Sequence, residues 1–348
     1  LSLSALFLFI LGITILFSVA PETVASQLIF GLLAGGLFFL FSRIDYRVFK
    51  SLSIWLYLVS LLLLILTAFL GESSRGAVRW LGVGPWQVQT SEIIKPLLIL
   101  VFASWFSQLK SWNLINPLKY FLALLIPIGL VFRQPDLGSS LIIASSWVGQ
   151  IFAAGFPILL MFATAVFLGI FTPLSWHFLR DYQKQRLSTF LNPQADPLKS
   201  GYNVIQAMIT DGSGQLLGRG LGHGTQSHLK FLPERHTDFI FASLTEELGF
   251  AGSLLTLGLF SLFFWRILLI ARKAPDRFGY LICLGVFSSL FVQTSVNVGM
   301  NLGLLPVTGI TLPLLSSGGS SLISTLISLG LVTSVAAQAR SPRPLQIH

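Results

Sequence analysis

The sequence has few charged residues and a single cysteine. Asp, Glu, Lys and Arg together make up 10% of its 348 residues, and 53% are hydrophobic, whereas soluble domains carry about 25% charged residues. This deficit excludes an ordinary cytosolic enzyme, a disordered chain and a nucleic-acid-binding protein of the usual basic-patch type. The one cysteine, Cys283, excludes an internal disulfide and a cysteine-based metal cluster. No Walker A motif occurs, so nucleotide hydrolysis is not expected.

Long apolar runs are what the sequence has in abundance. A helix of about 17–25 apolar residues is long enough to cross a bilayer, and about ten such runs occur. They lie near 3–20, 25–41, 51–70, 91–108, 119–132, 138–154, 157–174, 239–265, 278–298 and 317–337. We therefore predict an all-α polytopic membrane protein with about ten transmembrane helices, folded as a single membrane domain over residues 1–348.

The distribution of cations predicts the orientation of the spans. With the N-terminus inside, eleven Lys and Arg residues fall on inner loops and only three, Arg75, Arg79 and Arg133, on the short outer loops. Cytoplasmic loops carry such an excess of positive charge. We therefore expect both termini to be cytoplasmic.

A polar stretch of about sixty residues, 175–237, separates predicted spans seven and eight on the outer side. It carries seven Lys and Arg residues, among them Arg186 and Arg219, and a glycine-rich segment from Gly212 to Gly224. Long loops in compact proteins are commonly functional. We therefore expect this large extracytoplasmic loop to contribute to the site.

Ionisable groups within predicted spans are candidate site residues, because charge in a bilayer is costly and usually functional. Glu92 and Lys95 lie three residues apart at the outer end of the fourth span, so they would be neighbours on one helix face. An ion pair that only fixes packing is the alternative. Asp136, at the outer junction of spans five and six, is either a site residue or a helix N-cap.

Asp238 lies where the long loop re-enters the membrane, beside His236. An N-cap is its structural alternative. A carboxylate at the water–lipid boundary beside a basic loop suits a reaction on a lipid-linked anion, because the carboxylate can act as a base while cations hold phosphate. For Glu246 and Glu247 we expect structural roles, one paired with a basic group and the other reaching polar space.

Three sequence blocks resemble the SEDS family, the proteins of shape, elongation, division and sporulation. The first is Phe231–Ala242 (FLPERHTDFIFA) followed by EELGF at 246–250; the others are QPDLG at 134–138 and the stretch from Asn297 to Gly309 that leads into SSGGSS at 316–321. The resemblance covers nearly the whole chain in order. Residues 186–203 and 223–227 are more similar to the elongation branch than to the division branch. Ser317 and Asn192 depart from the usual Tyr and Asp.

The resemblance implies a ten-span inner-membrane glycosyltransferase that polymerises lipid II into peptidoglycan strands on the outer face, for cell elongation and rod shape. Asp238 would be the general base, and Glu92 would orient Lys95. Residues expected to contact substrate are Lys95 and Arg186 first, then Arg75, Arg79 and Arg219, together with Glu92, Asp136 and His236. The family also implies a divalent cation, Mg²⁺ or Mn²⁺, near Asp238.

Expected ligands and partners follow from the same resemblance. They are lipid II, the growing undecaprenyl-pyrophosphate glycan, a class B penicillin-binding protein that cross-links the strands, and other membrane proteins of the elongation complex. Two other functions stay open at this point, a lipid II flippase and a catalytically silent scaffold for a cell-wall synthase. The outer-face position of the charges argues against a flippase, which needs polar groups along its whole path.

Overall fold

The computed structural model describes residues 1–74, 77–83, 86–109, 115–157, 159, 181–195 and 201–340. Most of the predicted seventh span (157–174), parts of the long loop and Arg75 lie outside the described residues. The remainder is almost entirely helical, and the predicted all-α polytopic fold is confirmed.

Thirteen helices occur among the described residues. They are α1 Ser2–Val19, α2 Pro21–Arg43, α3 Val48–Ser51, α4 Ser53–Leu70, α5 Thr90–Ser107, α6 Ile115–Arg133, α7 Leu137–Ala153, α8 Asp181–Leu191, α9 Tyr202–Ser213, α10 Thr225–His228, α11 Ile240–Arg272, α12 Arg277–Asn301 and α13 Gly319–Arg340. Seven of these are long and apolar enough to cross a membrane: α1, α2, α4, α5, α11, α12 and α13. The apolar helix α7 is shorter.

Prolines mark helix boundaries and are also tolerated inside two helices. Pro21 is the first residue of α2, directly after the non-helical Ala20. Proline suits this first position because the N–H that it lacks would have no partner within the helix. Pro96 and Pro127 lie inside α5 and α6, as membrane helices allow.

A small antiparallel sheet, which the sequence analysis did not predict, precedes α5. Its strands are β1 Glu72–Ser74, β2 Ala77–Val83 and β3 Trp86–Gln89, in the order β1-β2-β3. Trp80 pairs with Gln89 across β2 and β3. Since β3 runs directly into α5 at Thr90, the sheet fixes the end of α5 that carries Glu92 and Lys95.

The chain divides into two compact units. The first unit comprises Leu1–Leu28, Gly155–Phe263 and Phe291–Gly318, and the second comprises Ile29–Ala154, Phe264–Leu290 and Gly319–His348. The first unit contains the described parts of the long loop. The second contains the sheet and α4 to α7.

Helix α11 is interrupted at Gly249, whose backbone is non-helical (φ 68°, ψ −167°). A break exposes backbone N–H and C=O groups that a bilayer cannot satisfy. Here the loop segment 215–220 satisfies them. Its four hydrogen bonds run from Arg219 N–H to Glu246 C=O (2.9 Å), Gly220 N–H to Glu247 C=O (3.0 Å), Phe250 N–H to Gln215 C=O (2.9 Å) and Ala251 N–H to Leu216 C=O (3.0 Å).

Glycine is required at this break for two reasons. Its positive φ favours a residue without a Cβ. A Cβ on Gly249 would also lie 2.2 Å from the backbone nitrogen of Gly218. The long loop is therefore held against α11 by close backbone contact as well as by hydrogen bonds.

Candidate active site

The predicted site residues are divided between the two units. Four lie in the first unit: Arg186, Arg219, His236 and Asp238. Four lie in the second unit: Arg79, Glu92, Lys95 and Asp136.

Asp238 lies two residues before α11, and two amide side chains of α12 hold its backbone carbonyl. Asn297 Nδ2 and Asn301 Nδ2 donate to the Asp238 C=O at 2.9 and 3.1 Å. Asn301 Oδ1 also accepts from the N–H of Ala242, the third residue of α11, at 3.0 Å. That amide is the one that an N-cap side chain usually accepts from, so Asn301 caps α11 from a different helix.

Two neighbouring carbonyls in the same turn are held by a second segment. Ser316 Oγ donates to the Thr237 C=O at 2.6 Å, and the backbone N–H of Ser317 donates to the His236 C=O at 2.9 Å. Gln27 Nε2 in turn donates to the Ser316 C=O at 3.1 Å. Because Ser317 contributes its backbone, its departure from the usual tyrosine does not affect this contact. The backbone of residues 236–238 is therefore fixed from two sides.

The Asp238 side chain is half-buried. A Cβ on Gly309 would lie 3.6 Å from Asp238 Oδ2, and Gly309 has a positive φ of 74°. The positive φ favours glycine at this position next to the carboxylate. The arrangement presents a carboxylate on a rigid backbone, as a general base requires.

Glu246, about two turns further along α11, is fully buried. Its carboxylate accepts from the Gln226 N–H (2.8 Å), the Ser227 N–H (3.0 Å) and Ser227 Oγ (2.7 Å). We expected one of the two glutamates to reach polar space, and this expectation is wrong for Glu246. Its carboxylate is instead enclosed, because the first backbone amides of α10 point towards it. Glu246 fastens α10 to α11.

Glu247 is also fully buried. Its Oε1 accepts from Ser18 Oγ at 2.5 Å, lies 3.0 Å from His228 Nε2 and lies 3.3 Å from the Gly222 N–H. His228 is thus the basic partner expected for one of the two glutamates. Together the two carboxylates attach the glycine-rich part of the long loop to α11 and α1.

Glu92 and Lys95 form an ion pair inside the second unit. Lys95 Nζ lies 2.6 Å from Glu92 Oε2, and only 5% of the Lys95 side chain and 8% of the Glu92 side chain are exposed. Removing one member of such a pair leaves an uncompensated buried charge. The ion pair that fixes packing, which the sequence left open as the alternative role, is therefore present. A contact of Glu92 or Lys95 with substrate stays a prediction.

Asp136 is the N-cap of α7. Oδ1 accepts from the Ser139 N–H at 3.0 Å, and Oδ2 accepts from Ser139 Oγ (2.8 Å), Gln89 Nε2 (2.9 Å) and Ser91 Oγ (2.8 Å). These bonds join the start of α7 to the start of α5. Any part that Asp136 plays in substrate positioning would act through α5, and this role stays a prediction.

The other predicted site residues lie nearer the surface. Arg219 is exposed, and its guanidinium donates to Thr225 Oγ1 at 3.2 Å within the loop. Arg186 is partly exposed on α8, and Arg79 is partly exposed on β2. His236 is half-buried in the turn before Asp238. Their predicted contacts with substrate stay predictions.

Asn297, Asn301 and Gln27 are positioning residues that the sequence analysis did not single out. All three are buried amides within apolar helices. Burying an amide without a hydrogen bond costs free energy, so such a residue in a span indicates a specific partner. They carry no charge, so the cost of placing charge in a bilayer does not mark them as candidate site residues.

Among the residues that the structure describes, no three His, Cys, Asp or Glu side chains converge in a way that could hold a metal ion. Asp238 is therefore not part of a metal centre built from three such side chains in this part of the chain. Magnesium is commonly held by one or two carboxylates together with substrate phosphates. A cation would fit here only if the substrate supplied most of its ligands.

Taken together, the apolar helices, the broken α11 and the braced carboxylate define a multi-pass membrane protein with a candidate catalytic carboxylate at a helix start. The sequence model of the FtsW/RodA/SpoVE cell cycle proteins matches residues 5–341. The chain belongs to this family.

Individual relatives extend the comparison. The chain is 42% identical over 296 residues to the peptidoglycan glycosyltransferase MrdB of Escherichia coli K12, which covers 84% of this chain and 80% of MrdB. It is 33% identical to the peptidoglycan glycosyltransferase RodA of Treponema pallidum over an alignment of 410 positions, gaps included. The alignment covers 97% of this chain and 95% of RodA. These similarities, with the apolar helices, make the chain a multi-pass inner-membrane protein.

Solved structures agree with the fold. A chain from a peptidoglycan synthase complex, solved to show how polymerisation and crosslinking are coordinated, matches with a TM-score of 0.87 at 33% identity and covers 98% of this chain and 97% of its own length. The rod shape determining protein RodA of Thermus thermophilus matches with a TM-score of 0.73 at 29% identity, covering 98% and 96%.

Proposed function

We propose that this protein is a peptidoglycan glycosyltransferase of cell elongation, which polymerises lipid II into glycan strands. The observation that carries the proposal is Asp238, a half-buried carboxylate whose backbone is held by Asn297 and Asn301. The similarity to MrdB and RodA, which are named peptidoglycan glycosyltransferases, supports the same reaction class.

In the proposed reaction, Asp238 accepts the proton of the acceptor sugar's 4-hydroxyl while that oxygen attacks C1 of the donor sugar. The new C1–O4 bond forms as the bond from C1 to the pyrophosphate oxygen breaks, so undecaprenyl pyrophosphate leaves and the configuration at C1 inverts. A positioned general base contributes about 10²–10⁴-fold to such a rate. Fixed backbone at residues 236–238 keeps the carboxylate in place without reorganisation.

The leaving pyrophosphate needs positive charge where its negative charge develops. We assign this role first to Lys95 and Arg186, with Arg79 and Arg219 behind them. Glu92 orients Lys95 through their 2.6 Å contact. His236 borders the turn that carries the base.

A divalent cation, Mg²⁺ or Mn²⁺, is part of the proposal. Asp238 would supply one ligand, and the lipid pyrophosphate would supply others, as is usual for magnesium at phosphate sites. When bound, the cation would neutralise charge on the leaving group.

The proposed setting is the outer face of the inner membrane, with both termini in the cytoplasm. The solved synthase complex supports a crosslinking partner, and we propose a class B penicillin-binding protein together with other membrane proteins of the elongation complex. Lipid II and the growing undecaprenyl-pyrophosphate glycan are the proposed substrates.

The direct test is to incubate the purified full chain with lipid II, Mg²⁺ or Mn²⁺, and a class B penicillin-binding protein. Products are separated by gel electrophoresis, and lipid II scrambling is measured in parallel in vesicles. We expect a ladder of glycan strands. Scrambling without strands under every metal and partner condition would instead indicate a flippase, and neither activity would indicate a scaffold.

A further inference from the structure

A cation-lined cavity of about 190 Å³ lies within the second unit, where α4 begins and where α5 and α7 end. Its lining residues are Arg47, Lys50, Ser107, Asp276, Arg277 and Phe278. Three of these side chains carry positive charge and one carries negative charge. None of them belongs to the candidate active site.

The single carboxylate in the cavity is already committed to neighbours. Asp276 Oδ2 accepts from Tyr46 Oη (2.6 Å) and Arg47 Nε (3.0 Å), and Oδ1 accepts from the Gly279 N–H (2.8 Å). Burial alone would raise the pKa of Asp276, but these hydrogen bonds and the Arg47 charge lower it below its usual value. Asp276 therefore stays ionised and offsets one cation, which leaves the cavity with two formal positive charges.

Arg277 is held rigidly at the edge of the cavity. Its two terminal nitrogens donate to the Leu109 C=O at 2.6 Å and to the Ala154 C=O at 2.7 Å, just beyond the ends of α5 and α7. Helix ends leave such carbonyls without intrahelical partners. Arg277 therefore satisfies these carbonyls and keeps its charge at a fixed position beside the cavity.

Lys50 is the cation with most freedom. Its backbone C=O accepts from Ser104 Oγ at 3.1 Å, which attaches α3 to α5. Its side chain is exposed and forms no ion pair with any residue in the described ranges. A charged group that lines a cavity without a counter-charge is available for an anionic ligand.

The surface next to Lys50 is apolar. Val48, Leu52 and Trp55 are 52%, 41% and 64% exposed. On a membrane protein, such residues at the end of a spanning helix contact lipid, and tryptophan is enriched at the membrane–water interface. An anion that reaches the cavity from this side would carry an apolar part.

We propose that this cavity binds the phosphate of an anionic glycerophospholipid, with phosphatidylglycerol as the representative. Lys50 and Arg47 contact the phosphate, Ser107 faces the glycerol hydroxyls, and the acyl chains follow Val48 and Leu52. Basic pockets between spanning helices bind acidic headgroups in this way. Under the proposed orientation, this end of α4 and α5 faces the cytoplasmic leaflet.

Native mass spectrometry of the purified full chain in neutral detergent tests the proposal. Phosphatidylglycerol and, separately, phosphatidylcholine are titrated into wild type, Lys50→Gln, Lys50→Arg and the control Arg43→Gln. Arg43 is an exposed cation in the last turn of α2 that does not line the cavity. We expect one high-affinity phosphatidylglycerol, bound about fivefold more weakly by Lys50→Gln, since a cation near the headgroup is worth about 1 kcal/mol.

The control and the conservative variant complete the expectation. Lys50→Arg should retain the affinity and Arg43→Gln should leave it unchanged. Equal binding of phosphatidylcholine, or equal weakening by Lys50→Gln and Arg43→Gln, would overturn the proposal. So would saturation by glycerol phosphate or inorganic phosphate at the affinity of the lipid, which would indicate a free-phosphate site. Binding of a polyglutamate peptide without phosphatidylglycerol would point to an acidic protein partner instead.

Discussion

Replacing Asn301 by alanine should have two effects at once: it should destabilise the start of α11 and displace Asp238. The variant loses the Asn301 bonds to the Asp238 C=O (3.1 Å), to the Asn297 C=O (2.8 Å) and from the Ala242 N–H (3.0 Å). Loss of a helix cap costs about 0.5–2 kcal/mol, and each further hydrogen bond contributes about 0.5–1.5 kcal/mol. We therefore expect unfolding free energy to fall by about 2–4 kcal/mol.

Unfolding is measured by denaturant titration in mixed micelles, and polymerisation is measured with lipid II. Asn297→Ala separates the two roles, because it removes a donor to the Asp238 C=O (2.9 Å) and leaves the Asn301 acceptor for the Ala242 N–H in place. That variant should retain more stability than Asn301→Ala and still lose polymerisation rate. Asn203→Ala, a partly exposed amide on α9, serves as the control. Unchanged stability and rate in Asn301→Ala would refute the bracing of Asp238 by α12.

Three further perturbations test other parts of the structure. Burial raises the pKa of Asp211 to about 7, above its unfolded value of about 3.9, so the contribution of Asp211 to stability is lost as pH rises from about 4 to 7. Asp211→Asn should therefore raise the melting temperature at pH 8 and change it little at pH 4. An equal shift of the melting temperature at both pH values would contradict this. Gly249→Ala should prevent the backbone pairing of α11 with the loop and lower the melting temperature strongly. The control Gly258→Ala should not lower it, because an added Cβ there meets nothing within 4 Å. Similar melting temperatures for the two variants would contradict the requirement for glycine at the break in α11. Glu92→Gln removes the negative charge 2.6 Å from the buried Lys95 ammonium and should cost about 3–5 kcal/mol, measured by denaturant titration. The double variant Glu92→Gln/Lys95→Met should recover part of this loss. No loss in the single variant would show that the pair is not structural.

Hydropathy predicted most of the helices within a few residues, because apolar length is a local property that a bilayer selects directly. The predicted span 119–132 is Ile115–Arg133 in the structure, and 278–298 is Arg277–Asn301. The N-cap role of Asp136 could also be predicted from the sequence, because an N-cap side chain binds the backbone N–H of a residue only three positions further along, here Ser139.

Long-range backbone pairing was beyond the reach of local patterns. Segment 215–220 satisfies the break in α11 only because the two stretches meet in the fold, and the glycine-rich composition of the loop indicates irregular backbone without identifying its partner. The sheet at Glu72–Gln89 was likewise missed, because its strands are short and lie between two long apolar helices. Short strands carry too little alternation to be recognised.

The identity of Asp238 as the candidate base came from its position at a membrane boundary and from the family resemblance. What holds it in place could not be predicted from the sequence. Asn301 lies 63 residues further along the chain, and nothing in its own neighbourhood indicates which carbonyl it binds. Ser316 reaches Thr237 across 79 residues.

The polymerisation rate of Asp238→Asn, compared with wild type and with the control Asp211→Asn over a range of pH, tests the central claim most directly. Loss of a general base predicts a rate lower by about 10²–10⁴-fold, with unfolding close to that of wild type and with the control unchanged at pH 7. A rate for Asp238→Asn within a few fold of wild type, in protein that remains folded, would contradict the assignment of Asp238 as the base.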